Sequence, residues 1–172
     1  MNYPGYPLTP RLVDFLKHCY NDEFGGFGGG PGQYGHLAPT YAAVSALAIC
    51  GTSSAYELLK SKRESLNTWL LALKNPDGSF CMHQGGEADM RSSYCALVVI
   101  HLLQLQTPHL IRGCAEFVQS CQSYDGGLGG EPGNEPHGGY AYCGYASLVI
   151  LNRTDILDQE ALLVSLLNPS CS

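Results

Sequence analysis

Three stretches decide the fold: FGGFGGGPGQYGHLAPTYAAVSALAIC at residues 24–50, DGSFCMHQGGEADMRSSYCALVVI at 77–100 and DGGLGGEPGNEPHGGYAYCGYASLVIL at 125–151. Each opens on a glycine tetrapeptide and carries a tyrosine seventeen residues after its first position, at Tyr41, Tyr94 and Tyr142. A run of small and apolar residues follows each tyrosine. Counting back eleven, eight and four positions from each tetrapeptide gives Val13, Leu16, Tyr20; Leu66, Trp69, Leu73; and Cys114, Phe117, Cys121. Offsets of three and seven put each trio on one helix face. The chain is therefore a repeat with a period of 53 and then 48 residues. Its unit is an amphipathic helix, a glycine loop and a second helix of smaller residues.

No alternating strand pattern competes, so the expected class is all-α, with helical hairpins stacked or set in a ring. The glycines end the first helix and let the loop turn tightly. Pro39 with Thr40, and Arg91-Ser92-Ser93, suit the starts of two second helices. Those small-residue helices are expected in an inner layer, with the bulkier first helices outside. The units span about 11–54, 62–107 and 109–153, and a truncated fourth begins at 155. Its leading helix brings Leu162, Leu163, Leu166 and Leu167, while the next glycine loop, due near 173, lies past the last residue. Four uncovered leucines forfeit about 1.5–3 kcal/mol each, so the expectation is a piece of a larger ring or a chain that needs a partner.

Composition narrows the function classes. The 172 residues carry Lys+Arg 9 against Asp+Glu 15, a net charge of −6, with no basic cluster to follow a nucleic-acid backbone. The longest apolar run, Cys95 to Ile100, is far too short to span a bilayer. The first ten residues, MNYPGYPLTP, do not read as a secretory signal. Charged residues are 14% of the chain against about 25% in ordinary domains, a shortage that points to surface covered by other protein. The eight cysteines sit in apolar runs with no CxxC pair, and read as reduced, buried thiols of a cytoplasmic protein.

His137-Gly138-Gly139-Tyr140 stands just before the third inner helix. Backbone N–H groups at a helix N-terminus, with a His beside them, suit an anion. Tyr140, Cys143 and Gly144 fall on one face and suit an apolar chain. The plain alternative is a turn with a solvent-exposed His. Arg91 and Tyr94 share a face of the second inner helix; Arg91 either holds an anion or an apolar ligand, or pairs with Glu87 or Asp89. His36 precedes the helix of Tyr41 and is either structural or functional. The remaining histidines have no partner at metal-ligand spacing, and GGFGGGPG lacks the strand that a dinucleotide fingerprint needs.

With these motifs in hand, HLAPTYAAV, ADMRSSYCA and EPHGGYAYCGY are seen to resemble consecutive repeats of the protein prenyltransferase β-subunit family, its farnesyl-transferring branch above all. The resemblance runs from Leu12 to about Leu167. It implies an α/α toroid bound to a separate α subunit, moving farnesyl from farnesyl diphosphate to the Cys of a C-terminal CaaX motif. It assigns His137, Gly138, Gly139 and Tyr140 to the diphosphate loop, with Tyr140, Cys143 and Tyr94 on the prenyl pocket. Arg91 falls between isoprenoid and peptide, and His36 and Ala38 touch the peptide. The family's catalytic zinc is held by an Asp-x-Cys pair and a later His that would follow residue 172, as would its Arg/Lys diphosphate clamp. The expectation is thus no metal site and no complete catalytic set within this chain. The competing expectations are a geranylgeranyltransferase β subunit, which differs in pocket length, and an inactive short chain serving as an interaction module.

Overall fold

The structure is a computed structural model that describes residues 8–167. Eight α-helices follow in order: α1 (Leu8–Cys19), α2 (Leu37–Cys50), α3 (Ser53–Leu73), α4 (Met90–Leu102), α5 (Pro108–Ile111), α6 (Cys114–Ser120), α7 (Gly138–Leu151) and α8 (Gln159–Leu167). A 3-10 turn at Thr154–Ile156 precedes α8. Helices α2, α4 and α7 lie side by side as one layer, and α1, α3 and α6 back them from the other. The trios counted from the glycine tetrapeptides make the contact between layers: Val13, Tyr20, Leu66, Trp69, Leu73, Cys114, Phe117 and Cys121 are buried and Leu16 is half-buried.

The glycine loops explain why the layers meet. In each unit the loop folds back on the end of the outer helix through one antiparallel bridge, Tyr20 to Phe27, Lys74 to Phe80 and Gln122 to Leu128. That bridge drives Phe27, Phe80 and Leu128 into the core at 0% exposure, each contributing about 1.5–3 kcal/mol. A second repeated bond ties neighbouring units together. Leu37 N–H donates to Met82 O at 2.8 Å, and Met90 N–H donates to Gly130 O at 2.8 Å. Helices α2 and α4 thus hang their first amides on the next unit's loop.

Helix starts fall two residues and one residue earlier than the sequence signals indicated, because side-chain caps set them. α2 begins at Leu37 behind His36, and α4 at Met90 behind Asp89. The second outer helix, α3, begins at Ser53 behind Thr52, whose hydroxyl accepts from Ala55 N–H at 3.3 Å. In the third unit the outer helix is broken into α5 and α6 at Gly113, which sits at φ +78. There the backbone passes so close to Gly78 that a Cβ on Gly78 would lie 2.0 Å from Gly113 O. Only glycine tolerates that crossing.

α8 is seated by polar as well as apolar contacts. Gln122 donates to Asp158 O at 2.9 Å and accepts from Asp158 N–H at 3.1 Å. Leu162 is buried, whereas Leu163, Leu166 and Leu167 are exposed. Among the described residues no helix is long and apolar enough to cross a membrane. Cys19, Cys95, Cys114 and Cys121 are buried free thiols. Burial pushes Cys95 and Cys121 up to about 12, so both stay protonated and inert at neutral pH.

Candidate functional site

The starts of the three inner helices form one rim, built by the same position in each unit. Twelve residues after each glycine tetrapeptide stand His36, Asp89 and His137, and all three are N-caps. His36 Nδ1 accepts from Ala38 N–H at 3.1 Å, and His137 Nδ1 accepts from Gly139 N–H at 2.9 Å. A neutral imidazole that accepts at Nδ1 carries its proton at Nε2. Both histidines therefore keep their N–H donor at Nε2.

Asp89 does more. Its Oδ1 accepts from Arg91 N–H at 2.7 Å and Ser92 N–H at 3.2 Å, while Ser92 Oγ accepts from Asp89 N–H at 2.9 Å, completing a capping box. Its Oδ2 accepts from Arg91 Nε at 2.9 Å and Nη2 at 2.5 Å. Of the two partners that the sequence left open for Arg91, the ion pair forms with Asp89. The Asp89 bond raises the already high Arg91 pKa, so the guanidinium is permanently charged. It remains half-exposed on the rim.

Behind the rim runs a row of phenols. Tyr41, Tyr94 and Tyr142 stand ring beside ring, with centroids 5.6 Å apart at both steps. Tyr94 Oη lies 3.3 Å from Tyr142 Oη. Burial, then hydrogen bonds to Tyr142 and Tyr41, raise the Tyr94 pKa, so this phenol keeps its proton. It borders a cleft of about 1050 Å³ whose wall is mainly apolar, including Tyr94 and Val98 of α4, Gly138, Tyr142 and Val149 of α7, and Leu163 of α8.

Of the residues singled out in the sequence, Tyr94 and Gly138 line this cleft, and His137 adjoins it in the chain. Gly139 spends its amide on His137, while Gly138 N–H has no partner among the described residues. Tyr140 lies against Gly130, its ring 5.8 Å from that of His137. Cys143 is half-buried, its pKa raised by burial, then by Asp89, and lowered by Arg91. Tyr140, Cys143 and Arg91 are not among the residues that line the cleft. His36 belongs to a second pocket of about 400 Å³ with Phe24, Tyr34, Trp69 and His83, and its ring lies 5.6 Å from that of His83. Ala38 is exposed in the first turn of α2. Sequence reasoning overlooked Tyr145 as a cleft residue, and the twelve-residue offset singles out Asp89 over Glu87 as the cap. Among the described residues, no three His, Cys, Asp or Glu side chains are grouped to hold a metal ion. They do not fit the zinc expected of the family.

Residues 8–169 match the prenyltransferase alpha-alpha toroid domain, and the chain belongs to that family. Within it, the chain is 44% identical over 156 residues to a protein farnesyltransferase subunit beta of Arabidopsis thaliana, covering 91% of this chain and 32% of the relative. It is 43% identical to that of Pisum sativum, with 91% and 36% covered. A geranylgeranyl transferase type-1 subunit beta of Arabidopsis thaliana is 36% identical, with 78% and 36% covered. The chain thus spans about a third of the length of these relatives. In fold it is similar to Candida albicans protein geranylgeranyltransferase-I complexed with GGPP, with a TM-score of 0.72 and 20% identity over 86% of this chain and 44% of that one.

Proposed function

We propose that these repeats are part of the β subunit of a cytoplasmic protein farnesyltransferase, working with an α subunit on proteins that end in a CaaX motif. The observation that carries this reading is an apolar cleft of about 1050 Å³ opening beside the His137-capped start of α7. An isoprenoid chain suits the apolar wall, and its diphosphate suits the rim. His137 offers Nε2–H, and the positive end of the α7 dipole adds to it. In the reaction a C–S bond forms between the peptide cysteine and C1 of the isoprenoid. The C–O bond to diphosphate breaks, the thiol proton is released, and diphosphate leaves with the electron pair. The zinc expected of the family would hold that cysteine as its thiolate, and no group of residues to bind it is found among the described residues.

The substrate peptide falls to the other part of the rim, where Arg91 offers a charged fork to a C-terminal carboxylate. Higher identity to farnesyltransferase than to geranylgeranyltransferase β subunits supports the shorter isoprenoid. The test uses the complete two-subunit enzyme carrying this segment and a fluorescent farnesyl diphosphate analogue. His137→Ala is expected to weaken binding by about 2 kcal/mol or more, the scale of a lost charged contact. Unchanged affinity and turnover would return His137 to a purely structural cap.

A further inference from the structure

Two of the three rim caps have a single acceptor to give, and that acceptor is used up by the helix. His36 and His137 each spend Nδ1 on one backbone N–H. Asp89 has two oxygens and divides them: Oδ1 caps α4, and Oδ2 takes two N–H groups of the Arg91 guanidinium. Only in this unit does the residue two places after the cap bear a charge; the equivalents are Ala38 and Gly139. The two members of the pair differ sharply in exposure. The Asp89 side chain is 8% exposed and that of Arg91 53%.

We propose that Asp89 is the positioning residue for Arg91, holding the guanidinium at the start of α4 so that its free edge meets a carboxylate ligand. This rests on the reading above, in which Arg91 meets the carboxyl end of the peptide. A free arginine side chain loses rotamer freedom when it binds a ligand. Here that freedom is already spent, because Nε and Nη2 are anchored to a carboxylate fixed by its own helix. Three of the five N–H donors remain for a ligand. The buried anion also keeps Arg91 from folding back onto other acceptors of the rim.

The experiment separates holding from capping. Asp89→Asn keeps an Oδ1 to cap α4 and removes the negative oxygen from Arg91. In the complete two-subunit enzyme, with a dansylated CaaX peptide, Asp89→Asn is expected to raise the peptide KM about tenfold, the worth of ~1.4 kcal/mol. The expected kcat stays within about twofold, and the unfolding midpoint within about 3 °C. The double variant with Arg91→Ala is expected to be no worse than Arg91→Ala alone. In ¹⁵N-labelled enzyme, the slowly exchanging Arg91 Nε–H resonance is expected to vanish on Asp89→Asn. A lower midpoint with KM and the Nε–H resonance unchanged would overturn the proposal and leave Asp89 a cap. If Arg91→Ala leaves KM unchanged while Asp89→Asn still abolishes the resonance, the holding stands and the peptide reading of Arg91 falls.

Discussion

Helices α4 and α7 are built from the same kind of sequence and have the same place in their units, yet they end up in different surroundings. α4 lies between α2 and α7, and Met90, Cys95, Ala96, Leu97, Val99 and Ile100 are all buried. Among the described residues α7 has an inner neighbour on one side, α4, and Tyr142, Tyr145 and Val149 are exposed along the cleft. The backbone shows the same contrast. Met90 N–H is bonded to the following loop, whereas Gly138 N–H, its equivalent, has no partner among the described residues. An inner helix of this repeat is therefore completed by its neighbours and not by its own composition.

The largest expected effect tests that contrast directly. Leu97→Ala in α4 removes a side chain at 0% exposure and is expected to cost about 2–5 kcal/mol. Val149→Ala in α7, at 53% exposure, is expected to stay within about 0.5 kcal/mol. Urea unfolding of both variants reads the difference, and equal costs would erase the distinction between the helices.

The seating of α8 beside α7 gives the next. Gly126 has φ +88, and a Cβ there would lie 2.4 Å from the Ala161 backbone, whereas Gly133, at φ +84, has open space. Gly126→Ala is expected to cost about 3 kcal/mol, from strain and overlap together, and Gly133→Ala about 1 kcal/mol from strain alone. Equal melting temperatures for the two variants would mean that α8 is not held there.

A smaller difference separates the helix ends. Arg63 donates to Leu103 O at 2.9 Å and Gln104 O at 2.8 Å, closing the C-terminal end of α4, while α7 stops at Asn152 in the left-handed region. Arg63→Ala is expected to destabilise by about 1–2 kcal/mol. Amide hydrogen exchange should then rise at the end of α4 and not at that of α7.

The smallest effect concerns pH and contrasts the cap of α2 with that of α4. Burial lowers the His36 pKa below its ordinary 6.5, and His83 lowers it further against the opposing pull of Glu87. The folded state thus holds fewer protons than the unfolded one. The His36 contribution is complete above pH 6.5 and is lost as the pH falls through the lowered value. Protonation also removes the Nδ1 acceptor and with it the α2 cap. His36→Asn keeps a cap without titrating and is expected to flatten the decline in midpoint between about pH 7 and 5. An unchanged slope would place the titrating group elsewhere.

Much of this was legible beforehand for a physical reason. Apolar spacing is dictated by helix geometry, so Leu66, Trp69 and Leu73 announce a buried face wherever the helix packs. The tyrosines at matching offsets were equally plain, and the structure sets them in one row. The caps were harder. His36, Asp89 and His137 do one job with two chemistries, and a pattern search that asks for similar residues passes over them. Arg91 could be placed on a helix face, but its choice of Asp89 over Glu87 depended on where the cap turned the carboxylate. The break of the third outer helix at Gly113 was hidden too, since its cause is the approach of Gly78 from another unit.

By itself the sequence determined the repeat, the all-helical class and the division into bulky outer and small inner helices. These follow from local periodicity and from glycines that end helices. Only the tertiary structure decided how the inner helices pack on one another and which residues form the cleft, whose lining does not include Tyr140, Cys143 or Arg91. Those outcomes depend on neighbours brought together from residues about fifty apart, and such contacts leave no periodic mark in the chain.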